Sequence, residues 1–66
     1  MFPNLRAEIA RKGLTLTAFA ELIGMSLSVL SEKMHGRKEF TYSETIRIKH
    51  ALGVDIPLEI LFERAV

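Results

Sequence analysis

Sixty-six residues at net charge +1, with 48% hydrophobic and 26% charged residues, read as one small domain over 1–66, globular rather than disordered. The chain has no cysteine, which excludes disulfides and cysteine-ligated metal and fits a cytoplasmic location. No apolar run approaches about 18 residues, and no basic stretch leads into an apolar core at the start, so neither a membrane span nor a signal peptide is expected.

Charge is divided unevenly along the chain. Residues 1–38 hold six Lys/Arg against three acids (+3), and residues 39–66 hold three against five (−2). Such a split suits one face for a polyanion and another for something else, although ordinary solvated surface produces the same figures.

Five helical patterns follow in chain order, and Gly13, Gly24, Gly36 and Gly53 each directly follow one, as residues just past a helix end do. The first spans about 4–12, opens at Pro3-Asn4, and aligns Phe2, Leu5 and Ile9. The second, about 16–23, places Leu16, Phe19, Ala20 and Ile23 at i, i+3, i+4, i+7, with Thr15 as N-cap. The third, about 27–35, follows Ser26 as N-cap. In the fourth, about 42–52, Thr41-Tyr42-Ser43-Glu44 reads as a capping box, and Thr45, Ile48 and Leu52 form the inner face. The fifth, about 57–65, starts near Pro57 and sets Leu58, Leu61, Phe62 and Ala65 on one stripe. No strand-type alternation, repeat or low-complexity tract interrupts them. The expected fold class is all-α, a compact five-helix bundle.

Only Gly24-Met25-Ser26 separates the second and third patterns. A three- or four-residue turn containing glycine joins two helices steeply, which is the helix-turn-helix arrangement. Ala20 is small where the helices must approach, Gly24 follows four residues later and Leu30 six after that. A helix-turn-helix over about 16–35 leaves the outer face of the second helix free, and a helix held that way fits the DNA major groove.

Residues 13–37, "GLTLTAFAELIGMSLSVLSEKMHGR", resemble the core of the Cro/cI-type (XRE, lambda-repressor-like) helix-turn-helix family, and the resemblance runs from about Leu5 to Phe62. "KGLT", "HGR" and "IKHALGVD" also resemble the family pattern. The resemblance implies a five-helix lambda-repressor-like fold, sequence-specific binding of double-stranded DNA as a homodimer, and a small regulator of transcription, of a kind common in phages and mobile elements. Two positions depart from it. Leu16 stands where many members carry a phosphate-contacting glutamine, and Lys33 stands where an apolar residue is common, with the apolar residue moved to Met34.

With Leu30 and Met34 inward and a step of about 100° per residue, Ser28, Glu32 and His35 point away from the core. The resemblance places the family's base-contact positions at Leu27, Ser28 and Glu32. Glu32 can accept from the cytosine amino group, Ser28 can bond several bases, and Leu27 or Val29 can meet a thymine methyl. None is a bidentate reader of guanine or adenine, so specificity is expected to rest heavily on DNA shape. Alternatively, Glu32 is a solvated helix residue and Leu27 and Val29 face a partner.

Lys33, His35, Arg37 and Lys38 form a cationic stretch, and Arg11 and Lys12 end the first helix. Phosphate contacts are expected from Lys33, His35, Arg37, Lys38 and Lys12, three to five per subunit, with a steep salt dependence. Cations also favour a helix C-terminus for its own sake. The Ser26 hydroxyl is a further phosphate-contact candidate, with plain N-capping as the simpler role.

Ile56, Ile60 and Val66 lie outside the fifth helix's stripe and are expected at the homodimer interface, unless they merely cap a thin core. Nothing suggests an enzyme. Asp55 is the single aspartate, His35 and His50 lack metal-ligand spacing, and there is no glycine-rich phosphate loop. No cofactor, metal or small-molecule ligand is expected. The competing reading is a protein-binding module on the same fold (an anti-repressor, antitoxin-like or adaptor protein) that uses Leu27 and Val29 and has little DNA affinity.

Overall fold

Three hydroxyl caps set where helices begin. Thr15 Oγ1 accepts from the Ala18 N–H at 3.1 Å, and Ser26 Oγ accepts from the Val29 N–H at 3.2 Å. Thr41 Oγ1 accepts from the Glu44 N–H at 3.2 Å, and the Glu44 carboxylate accepts from the Thr41 N–H at 2.9 Å. Each bond satisfies a donor that has no partner within its own helix. The computed structural model describes residues 1–65 and contains α1 (Pro3–Arg11), α2 (Leu16–Ile23), α3 (Leu27–Met34), α4 (Tyr42–Leu52) and α5 (Leu58–Leu61), with no strand among the described residues. The molecule is an all-α bundle.

The stripes meet in one core. Phe2, Leu5 and Ile9 pack with Phe19, Ala20 and Ile23 of α2, Leu30 and Met34 of α3, Ile48 and Leu52 of α4, and Leu61 of α5. The largest of these are wholly withdrawn from water, each contributing about 1.5–3 kcal/mol of hydrophobic stabilisation. Thr45, expected on the inner face of α4, is only half-buried. None of the described helices is long and apolar enough to cross a membrane.

Gly24 explains the tight α2–α3 turn. It sits at φ 71°, ψ 35°, a left-handed conformation that residues with a Cβ rarely adopt, and the next residue, Met25, donates its N–H to the Ala20 carbonyl at 2.9 Å. The chain leaves α2, turns within Gly24-Met25-Ser26, and re-enters helix at Leu27 under the Ser26 cap.

The fifth helix is shorter than its periodicity predicts. Its expected span of 57–65 contracts to Leu58–Leu61, with Ala65 exposed rather than inward. Contacts distant in sequence capture the tail instead. Phe62 meets Phe2 and Phe40 edge-on at centroid distances of 6.2 and 5.2 Å, and Phe2 meets Phe40 at 5.4 Å. The Arg64 guanidinium lies 5.5 Å from the Phe2 ring centroid, and the Ala65 N–H donates to the Met1 carbonyl at 2.9 Å. Edge-to-face aromatic pairs and a cation over a ring each contribute about 0.5–1.5 kcal/mol.

Candidate functional site

The third helix is held on one side only. It packs chiefly on α2, with Leu30, Lys33 and Met34 buried. At the start of the helix Leu27 is 44% exposed, Ser28 is exposed, and Val29 is half-buried. The first turn of α3 therefore offers a leucine, a hydroxyl and part of a valine to whatever approaches. The Ser26 hydroxyl is already engaged in capping, with its residue exposed.

A left-handed glycine shapes the other end. Gly36, at φ 79°, lets the Arg37 N–H reach back to the Glu32 carbonyl at 2.9 Å, closing the last turn of α3. That reversal swings Lys38 beside Glu32, Nζ to Oε1 at 3.3 Å, both side chains substantially exposed. An exposed pair of this kind is worth only about 0.2–1 kcal/mol and exchanges readily for another partner. Arg37 is exposed, as is His35, whose Nδ1 lies 2.7 Å from the Ser31 carbonyl. Since a carbonyl only accepts, Nδ1 carries the proton in this bond.

Lys33 must be withdrawn from the expected phosphate set. It is 8% exposed and its ammonium grips the Glu44 carboxylate at 2.5 and 2.6 Å. An ammonium at a position that faces the core is costly without a counter-charge, and Glu44 supplies one. Burial alone would raise the Glu44 pKa. The Lys33 hydrogen bond, the Thr41 N–H and hydroxyl, and the Lys33 charge more than offset it and hold the carboxyl below its ordinary value.

Lys12 also stands apart from the α3 patch. It is exposed, and its ammonium lies near Gly53, beyond the C-terminus of α4, where the helix dipole favours a cation. Of the five cations proposed from sequence, His35, Arg37 and Lys38 remain together on one exposed edge.

Comparisons of the chain with protein-family models, with curated proteins and with solved structures found no match. The chemistry of the site therefore rests on its own geometry.

Two side chains outside the expected set act on this surface from α4. Arg47 Nη1 donates to the Ile23 carbonyl at 3.1 Å, closing the C-terminal end of α2, and Glu44 holds Lys33. The capping-box pattern marks Glu44 in the sequence, but nothing local pairs it with a residue eleven positions earlier. The surface expected to form a dimer is thinner than its composition suggests. Ile56 is half-buried and packs against the core, which removes much of it from any interface. Ile60 is 48% exposed, and its carbonyl accepts from the Asn4 side-chain amide at 2.9 Å. Val66 lies outside the described residues. Glu32, expected to point freely outward, is half-buried and already paired with Lys38.

Proposed function

We propose that this chain binds double-stranded DNA as a homodimeric transcriptional regulator of the Cro/cI type, with α3 in the major groove. The observation that carries this reading is the outward face of α3, with Leu27 and Ser28 exposed at its start and His35, Arg37 and Lys38 exposed at its end. That spacing suits apolar and hydroxyl contacts to base edges at one end and phosphate contacts at the other. Glu32 completes the site as the acceptor for a cytosine amino group, and its bond to Lys38 breaks when that lysine takes a phosphate instead. Ile60 offers an apolar contact for a second copy, and a two-fold pair sets the α3 helices one DNA turn apart.

Backbone amide NMR of the labelled protein, titrated with a duplex selected from a random pool, tests this reading. Shifts are expected at Leu27–Val29, Glu32 and His35–Lys38, with Asp55–Glu59 unmoved by DNA. Shifts absent from α3, or spread evenly over the surface, would overturn it.

A second reading has its own support. Leu27 is 44% exposed at the start of α3, and Lys33 no longer adds charge, so this face also suits the apolar side of a protein partner. The two readings part at Leu27 and at the cations. A protein groove loses affinity chiefly through Leu27→Ala, and DNA chiefly through loss of Arg37 and Lys38.

A further inference from the structure

The fourth helix grips both α2 and α3 through side chains one turn apart. Glu44 and Arg47 are three residues apart on α4 and therefore share a face. Glu44 holds the Lys33 ammonium of α3 through both carboxylate oxygens, and Arg47 holds the last carbonyl of α2, at Ile23. The Glu44 side chain is itself fixed by the Thr41 N–H at the start of α4. One turn of α4 thus anchors the C-terminal ends of both helices that flank the Gly24-Met25-Ser26 turn.

An apolar side chain at position 33 would bury its surface in several orientations at similar cost. A two-oxygen contact from a buried ammonium is directional, and it is a poor way to gain stability, because desolvating two charges consumes much of their attraction. What such a contact supplies is a unique arrangement. The pair closes over the same end of α3 that carries His35, Arg37 and Lys38, so a rotation of α3 about its axis moves the base-facing and phosphate-facing residues together.

We infer that Glu44, Lys33 and Arg47 are positioning residues, through which α4 fixes the pose of α3 for discrimination among DNA sequences. The inference rests on the DNA-binding reading for its purpose and on the geometry alone for its mechanism. The double variant Lys33→Met with Glu44→Gln removes the ion pair while filling the site with an apolar chain and keeping a capping-box residue. Arg47→Met tests the other anchor and serves where the double variant fails to fold.

Amide hydrogen exchange of the free protein and the ratio of affinities for a pool-selected duplex and its shuffled counterpart are the measurements. In the double variant, α3 amides are expected to exchange about tenfold faster relative to those of α2, and in Arg47→Met the amides at the C-terminal end of α2 about tenfold faster relative to those of α1. The affinity ratio is expected to fall about tenfold, with the salt slope unchanged because the outer cations remain. Unchanged exchange and an unchanged ratio in folded variants would overturn the inference. Faster α3 exchange in a protein whose wild type ignores every duplex would confirm the clamp and refute the DNA reading. A wild type that binds DNA, with variants that discriminate equally well, would refute the clamp as a specificity device and leave the DNA reading standing.

Discussion

Glu44→Ala is expected to lower folding stability by about 2–3 kcal/mol, the loss of a part-buried charged contact together with a capping-box bond. The substitution removes two contacts to Lys33 and one to the Thr41 N–H, so it strips the α4 start as well as the α3 anchor. A domain of this size has little stability to spare, and chemical denaturation of the variant is expected to show a much lower midpoint. The same carboxylate makes the wild type acid-sensitive in a stated direction. Because its folded pKa is depressed, its contribution is complete well above the unfolded value of about 4.3 and disappears as pH falls through the lower folded value. The Glu44→Gln variant should flatten that part of the stability curve. A variant as stable as wild type, with an unchanged acid limb, would show that the ion pair holds nothing together.

Charge reversal at Arg37 and Lys38 is expected to reduce affinity for duplex DNA by at least about 10²-fold at moderate salt, with little change in stability. Both side chains are exposed, and the one ion pair disturbed, Lys38 with Glu32, is a surface pair. The proposed dimer would carry each residue twice, so on that reading the variant loses four phosphate contacts and gains like-charge repulsion. Binding that persists at wild-type strength in an anisotropy titration would mean that this edge does not face DNA.

Local signals in the sequence carried most of the fold. Thr15, Ser26 and the Thr41–Glu44 box all cap as their spacing predicts, because a cap needs only residues three apart. The apolar stripes of the first four helices also placed most of the core, with Leu16 and Thr45 only half-buried, since amphipathic spacing depends on one helix at a time. Contacts between distant residues were less visible. Phe2, Phe40 and Phe62 come together from three separate segments around the end of α5, which no window around residue 60 reveals. Lys33 was the largest misreading at the site. A lysine amid other cations reads as solvated surface, and only the Lys33–Glu44 contact across the α3–α4 loop shows otherwise. Its place in the family resemblance, where an apolar residue is common, was the available hint that it points inward. The Glu32–Lys38 pair was hidden for a similar reason, because it depends on the backward turn at Gly36.

The most direct test of DNA binding through the α3 edge is fluorescence anisotropy of the wild-type protein on a random duplex pool at about 50 and 200 mM salt. With Lys33 buried, the proposed reading leaves four phosphate contacts per dimer, from Arg37 and Lys38 of each copy. They give a slope near −3.6 in log affinity against log salt, and a loss of roughly 10²-fold across that range. No binding at the lower salt, or binding indifferent to salt, would contradict the account and turn attention to a protein partner at Leu27.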